Sequence, residues 1–576
     1  MSLKRKQDQS NQPTPQKSLR LWPGIVIVII QCLLWYVIPF FIPEALMISV
    51  FGVLIGGVGV IVWWAFFSRA PGIERWGAIV VMIAAMVLIS FFLDNSIALA
   101  QGGLTFIMYS LPILCFAFVV WAIVTRNLSN KVRRITMVVT ILLSCSIWIF
   151  LRTDGMTSDI GHDFSWRWAE LPENQFQAQI DNEMMAVSVD SIVETGADWP
   201  GFRGPDRNGI IYGLQIDTDW SSSPPVKLWS RLTGPGFSSF AVRGDLIFTQ
   251  EQRGEEEDVA CYNLNSGEPV WRHSDTIRFF GAAAYPGPRA TPTISGNRVF
   301  TLGATGTLNL LNVLDGTVIW SQNTVSDAKV SIPAWGVASS PLVVDDIVIV
   351  QVANKLVAYA ISSGELRWSG DVGSGYSSPQ LFTIDSVEQV LLLSGVGLTS
   401  FSPVDGTILW EHLWAQDDRI LQPAITSNGD IILSGVLQGK RRISVTNGSE
   451  GWSTKRIWGS DGMKSNFNDF VVHKNYAYGY DNQNLACIDL QDGTLRWKGK
   501  RYGGQVMLLA DQGLLLVLSE KGKLVLVSAT PDKFNEIASF SVLKGKTWNH
   551  AAVVNDILLV RNAQEMAAYR LSKTIE

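Results

Sequence analysis

Five stretches decide the fold: CYNLNSGEPVW (261–271), LNVLDGTVIW (311–320), AYAISSGELRW (358–368), SFSPVDGTILW (400–410) and CIDLQDGTLRW (487–497). They are copies of one phrase, in which apolar alternation meets Ser-Gly or Asp-Gly and then runs on to a Trp. The first four tryptophans follow one another at steps of 49, 48 and 42 residues. Alternation on both sides of such a pair is a β-hairpin, with Gly supplying the positive φ of the turn. A Trp at a constant offset buries a large face between neighbouring sheets while its indole N–H reaches a backbone carbonyl. Two worn copies extend the series. One ends near Trp458 after RISV (442–445), and the other covers 525–537 with Ile537 in place of Trp. Units of about 40–50 residues, each four short strands that cannot bury both faces alone, must stack radially. That is a β-propeller.

Each repeat opens on a small or polar pair, often with Pro, that leads into its first strand. The starts are SSF (238–240), ATP (290–292), SSP (339–341), SSP (377–379), LQP (421–423), NDF (468–470), GQV (504–506) and NHA (549–551). Eight starts predict eight blades, with a seven-bladed ring as the alternative. The last repeat ends at Leu571 without room for an outer strand, whereas VKLWS (226–230) precedes the first repeat. This early strand is expected to complete the eighth blade and close the ring.

The LDGTVIW and SSGELRW phrases resemble the pyrroloquinoline-quinone (PQQ) repeat of quinoprotein-like β-propellers, over residues 198–573. The opening DWPGFRGPDRNG (198–209), with GPRATPT (287–293) and GKTWNH (545–550), resembles a branch of exported bacterial PQQ-like propellers. The resemblance is specific for fold. For function it implies two classes, because this repeat builds both quinone-dependent dehydrogenases and a non-enzymatic outer-membrane assembly scaffold.

The first 151 residues are of another kind. The chain has 576 residues, 47% of them hydrophobic, and a mean hydropathy of +0.19, too apolar for an ordinary soluble protein. Five apolar runs, 21–42, 45–67, 77–93, 104–124 and 135–151, each approach or reach the roughly 20 residues that cross a bilayer core as a helix. The expected organisation is a basic cytoplasmic tail (1–20), a five-helix transmembrane domain (21–151), a linker (152–197) and an eight-bladed PQQ-type propeller (198–576). DFSWRWAE (163–170), inside the linker, carries two Trp suited to a membrane interface. Five spans before a propeller also resemble the architecture of membrane-bound quinoprotein glucose dehydrogenase.

Charge sets the orientation. Residues 1–151 carry eleven Lys/Arg against four Asp/Glu, leaving −12 for the rest of a chain whose total is −5. All eleven fall in the tail and in the second and fourth loops, which places those segments in the cytoplasm. Five crossings then put the propeller outside, in the periplasm of a bacterium with two membranes. No Asp, Glu, Lys or Arg lies within the five runs, and Gln31 is their only strongly polar side chain, so they read as an anchor. An acidic outer domain has no electrostatic reason to bind nucleic acid.

The chemistry of an enzyme is harder to find. The five cysteines form no C-x-x-C and no adjacent pair, which supports neither a disulfide scaffold nor a zinc site. A PQQ dehydrogenase, as the resemblance implies, needs a metal such as Ca²⁺, a carboxylate base, cationic partners and an aromatic floor. No residue is assigned to those roles, no metal site is assigned, and PQQ with Ca²⁺ stands only as the cofactor of the enzyme alternative. QEQRGEEED (250–258) reads as a solvated acidic loop, with Glu251, Glu255 and Asp258 as hard oxygens should it hold a metal.

The second residues of the eight starts are Ser239, Thr291, Ser340, Ser378, Gln422, Asp469, Gln505 and His550, all polar. Innermost strands line a propeller's axis, so these side chains are expected as a ring at one mouth of the central channel. Arg289 and Trp548 are expected nearby, with Gln250 and Arg253 above. Simple capping of strand-leading turns accounts equally for the four Ser/Thr members, and a structural hydrogen bond for Arg289 and His550. The leading expectation is a non-enzymatic, inner-membrane-anchored propeller displayed in the periplasm. It would be a binding or assembly platform for an envelope protein or a small polar ligand. The alternatives are a PQQ-dependent alcohol or sugar dehydrogenase passing electrons to membrane quinone, and an envelope sensor coupled to the helices.

Overall fold

The computed structural model describes residues 19–41, 46–156, 161–170, 173–174, 176, 192, 196 and 198–574, apart from 282–285, 416–418, 437 and 466. It divides into two units, Met1–Ala169 and Glu170–Glu576.

In the first unit, four helices are long and apolar enough to cross a bilayer: Ile48–Phe67, Gly72–Ser90, Leu104–Val124 and Asn130–Phe150. A shorter apolar helix, Trp22–Val37, precedes them and runs on through Ile38–Phe41. The structure therefore has four long helices and a shorter one where the sequence predicts five equivalent spans. Most of the basic tail and residues 42–45 lie outside the described residues. Gln31 is buried, and its amide donates to the Val53 carbonyl at 2.9 Å.

Two helices begin earlier than their apolar runs and take in charges expected in loops. Glu74, in the first turn of Gly72–Ser90, is fully buried. Arg133 (3.3 Å) and Arg134 (3.8 Å), near the start of the last helix, hold it. A buried carboxylate between two guanidiniums ties these helix ends together. After the last helix, the stretch expected as linker starts as a hairpin, Leu151–Met156 against His162–Trp166. At its end Trp166 stacks with Trp168 at 5.1 Å, both exposed, as interfacial aromatic residues do.

The second unit is an eight-bladed propeller. Blades two to six are four-stranded antiparallel sheets in chain order, starting at Thr293–Ser295, Leu342–Val344, Gln380–Ile384, Ala424–Ile425 and Val471–His473. Blades one, seven and eight borrow strands from the segment before the repeats. Asp198–Trp199 joins Ala241–Arg243 of blade one, and Ile210–Ile211 lies parallel to Gln505–Leu509 of blade seven. Val226–Leu232 pairs antiparallel with Glu565–Arg570 as the outer strand of blade eight. The ring thus closes through the early strand, as expected, and the seven-bladed alternative is set aside.

The repeat phrase performs the same task at successive blades. The Trp271 indole donates to Val313 O (2.9 Å), Trp320 to Ile361 O (2.8 Å) and Trp368 to Pro403 O (3.0 Å), each in the next blade. The turn glycine of that next blade lies under the ring. A Cβ on Gly316, whose φ is +70°, would fall 2.4 Å from Trp271. Each outer strand that carries the Trp also has a β-bulge beside it, as between Leu310 and Leu311 opposite Trp320. The extra residue breaks the two-residue period, so Val318 and Ile319 both face solvent while Trp320 is buried.

Candidate functional site

The eight residues from the strand starts are joined blade to blade. The Ser239 N–H donates to Thr291 Oγ1 (3.2 Å), Thr291 to Ser340 Oγ (3.0 Å), Ser340 to Ser378 Oγ (2.9 Å) and Ser378 to Gln422 Oε1 (2.9 Å). The Gln422 N–H then bonds the Asp469 carboxylate, and the Asp469 N–H donates to Gln505 Oε1 (3.2 Å). Gln505 Nε2 reaches Trp548 O (3.2 Å), and Ser239 Oγ donates to His550 O (2.7 Å), which completes the circle. Seven of these side chains give a neighbouring blade's backbone a partner beside its first strand, and His550 takes part through its carbonyl. Seven of the eight are at most 4% exposed, so they face one another more than water.

A segment preceding the repeats fills the centre of this circle. Residues 198–211 touch seven of the eight blades, because Pro and Gly let a non-helical, non-extended loop cross between them. Arg203 pairs with Asp469 (3.4 Å) and donates to Phe470 O (2.7 Å) in blade six. Arg207 donates to Ser340 O (3.0 Å) and Pro341 O (2.9 Å) in blade three, while Gln380 of blade four donates to Arg207 O (3.0 Å). Ile294 N of blade two donates to Pro200 O (2.7 Å), and Phe202 packs edge-on against His550 of blade eight at 5.0 Å. Both arginines take left-handed backbone, φ 60° and 52°, at a cost of about 1–3 kcal/mol each that their guanidinium contacts offset. Gly204 (φ +88°) stacks on Trp199, where a Cβ would sit 3.0 Å from the ring.

Burial shifts the charges here. Burial pushes the Asp469 carboxyl up, and Arg203 beside it pulls it back. Burial, reinforced by Arg203, pushes His550 down to about 3, so the imidazole is neutral, with Nε2 3.5 Å from Asp469. Burial lowers Arg207 to about 10.

Arg289 and Trp548 come together through Phe237. The Arg289 guanidinium lies over Phe237 (5.4 Å) and Phe279 (4.7 Å) and donates to Trp335 O (2.9 Å). Trp548 stacks on Phe237 (5.5 Å) and Phe467 (4.6 Å), with Lys546 above its ring. Gln250 lies beside the ring, its N–H donating to Ser238 Oγ (3.2 Å), and both it and Arg253 are buried. Gln250 is buried at the end of Leu246–Arg253 and donates to Ala290 O (2.8 Å). Arg253 is buried against Glu251 (2.5 Å), Asp258 (3.0 Å) and the Phe176 ring (5.0 Å).

The acidic stretch is likewise no solvated loop. Glu251, Glu257 and Asp258 are buried, because the strands Leu246–Arg253 and Glu256–Asn263 continue to its tip. Burial would raise Glu251, but Arg253 and Arg561 hold it down at about 2. Burial raises Glu257 to about 7 and Asp258 to about 6.

The donor set does not fit PQQ with Ca²⁺. Among the described residues no three His, Cys, Asp or Glu side chains gather as metal ligands. The one carboxylate of the ring, Asp469, is taken by Arg203, Gln422 and His550. Sequence reasoning missed Phe202, Arg203 and Arg207, although DWPGFRGPDRNG sets two arginines between turn-forming residues, a signal for a built loop.

Comparison with known proteins agrees with this architecture. A sequence profile of the PQQ-repeat family described as outer membrane protein assembly factor BamB matches residues 217–381 and 335–535. The chain belongs to this family. BamB of Yersinia pestis is 21% identical over 313 residues, covering 52% of this chain and 67% of that protein. BamB of Shewanella oneidensis is 30% identical over 159 residues, covering 26% and 37%. Quinohemoprotein alcohol dehydrogenase from Comamonas testosteroni superposes with a TM-score of 0.50 at 12% identity, covering 70% of this chain and 85% of its own. That likeness is one of fold.

Proposed function

We propose that this protein is an inner-membrane-anchored propeller held in the periplasm as a binding or assembly platform for an envelope protein or a small polar ligand. The observation that carries this reading is the occupied centre. Arg203 takes Asp469, Phe202 covers His550, and the remaining ring side chains bond to backbone. A small ligand seeking those groups would have to displace a loop anchored in seven blades. The surface left for recognition is then the outer one, formed by the loops that lead into the first strands and join the second and third.

The anchor reading counts Trp22–Phe41 as a first crossing beside the four longer helices. With eleven Lys/Arg on one side, a reporter fused after Leu151 is expected in the periplasm and one fused after Asn127 in the cytoplasm. The platform itself is tested by site-specific photo-crosslinking in native membranes. Probes replacing the exposed Ile332 or Leu413 should give one discrete adduct, and a probe at Tyr212 on the opposite face should not. Equal labelling from both faces, or from neither, would refute it.

A further inference from the structure

One junction between blades keeps its Trp but abandons the contact that Trp makes elsewhere. The Trp410 indole turns back to Gln389 Oε1 (2.7 Å) of its own blade and does not reach a carbonyl of blade five. Blade five explains this. Its third and fourth strands, Gly439–Gly448 and Gly451–Ser460, are ten residues each and replace the short glycine turn that receives a Trp elsewhere. This long hairpin leans on blade four, with Trp452 and Val445 packed into the cluster around Trp410. Departures from an otherwise consistent pattern are where function concentrates.

The cleft beside this hairpin collects cations. The Arg419 and Arg441 guanidiniums each lie 4.4 Å from the centre of the Trp414 ring. Arg441 Nη1 donates to His412 Nε2 (3.2 Å), so the imidazole proton sits on Nδ1 and is given to Thr454 Oγ1 (3.1 Å). Arg456 folds over Gly459, the register partner of Arg441. A Cβ on Gly459 would lie 2.5 Å from its Nη2, so a larger residue would push the guanidinium aside.

No carboxylate answers these charges among the described residues. None of Arg419, Arg441 and Arg456 has an ion pair there, although Glu74, Asp258, Asp430 and Asp469 all pair with arginine elsewhere. Arg419 is 1% exposed, and its Nη atoms donate to Ser434 O (2.5 Å) and Trp414 O (2.9 Å). The cations left without an acceptor of opposite charge at the edge are therefore Arg441 and Arg456. Burial lowers His412, and Arg441 and Arg456 lower it further. Arg441 is itself lowered by burial and by Arg456. Like charges placed together at the edge of a protein are unfavourable unless an anion completes them.

We propose that this cleft between blades four and five binds an oxyanion, carboxylate or phosphate, carried by a ligand outside the chain. Arg441 and Arg456 are the contacting cations, His412 and Thr454 position Arg441, and Trp414 over Arg419 forms the floor. The site does not depend on the platform reading, since a small anion and an acidic protein segment present the same chemistry. Asp417 and Asp418, in the same loop, lie outside the described residues, so the test addresses them directly.

The experiment is calorimetric titration of the full-length protein in detergent at low salt with inorganic phosphate and, separately, with hexaglutamate. At least one is expected to bind, more weakly as salt rises, and Arg441→Gln/Arg456→Gln should weaken it roughly tenfold or more. Arg441→Lys/Arg456→Lys should keep part of the affinity. Binding of phosphate identifies a small free anion, and binding of hexaglutamate alone identifies an acidic segment. The anion should also raise the melting temperature of the wild type but not of the double Gln variant, which must itself melt cooperatively. Binding of neither probe, or equal binding by the double Gln variant, would overturn the proposal. So would binding seen only in Asp417→Asn/Asp418→Asn, since the chain would then fill its own cleft.

Discussion

The centre of the propeller and the cleft between blades four and five both gather arginines, and they differ in how many of them the chain answers. At the centre, the Arg203 and Arg207 guanidiniums end on backbone carbonyls and on Asp469, all supplied by the chain. In the cleft, Arg419 also ends on backbone carbonyls, those of Ser434 and Trp414. Arg441 instead lies over the Trp414 ring and meets only the neutral His412 among the described residues, and Arg456 adds a third positive charge. A cation answered from within holds the fold together. One left unanswered within the chain is available to a partner.

The comparison predicts its largest effect at the centre. Arg203→Ala leaves Asp469 buried without its cation and frees the loop from blade six, so it should cost about 3–5 kcal/mol in urea unfolding. A loss under about 1 kcal/mol would mean that the loop merely rests in the ring. Next comes the contrast between regular and irregular blades. Gly316→Ala drives a methyl into Trp271 at a positive φ and should cost about 1–3 kcal/mol. Gly448→Ala, in the long hairpin with nothing within 4 Å of a Cβ, should stay within about 0.5 kcal/mol. Comparable losses at both sites would remove the distinction.

Two buried groups give pH dependences of opposite sign. Burial lifts Glu257 from 4.5 to about 7, so the folded protein holds that proton more tightly than the unfolded chain. Its contribution is present below about 4.5 and is lost as pH rises towards 7. Glu257→Gln should therefore flatten the stability profile across that window and add on the order of 1 kcal/mol at pH 8. His550 is pushed from 6.5 down to about 3, so stability is lost as pH falls through that range, and His550→Gln should flatten the acid side instead. Profiles that both variants leave unchanged would contradict the burial of these groups. The smallest effect returns to the cleft. Arg456→Gln removes a like charge and should leave stability unchanged or raise it by about 0.5 kcal/mol, the reverse of Arg203→Ala.

What could be read from the sequence follows the range of each interaction. The turn glycine and the Trp of each phrase lie four residues apart, so hairpin, docking residue and blade count were legible. The early outer strand was legible too, because a blade without its fourth strand leaves an open edge. The positions of the eight polar residues were visible as a pattern. Their partners were not, since seven of them bond the backbone of a neighbouring blade and His550 meets Asp469 of another. The loop through the centre was illegible for the same reason, as Arg203 meets Phe470 267 positions away. The acidic stretch misled because charges that surface on one strand are answered by Arg561, 311 residues beyond Gln250. Glu74 was read as loop because hydropathy windows stop at charge, whereas the helix continues and buries it against Arg133.

The most direct test of a platform with a closed centre is titration of the purified full-length protein with PQQ and Ca²⁺. Absorbance should be followed through gel filtration, and dye reduction measured with alcohols and sugars. The account predicts no retained quinone spectrum and no dye reduction. Stoichiometric retention of PQQ, with dye-linked oxidation that Asp469→Asn abolishes, would contradict it.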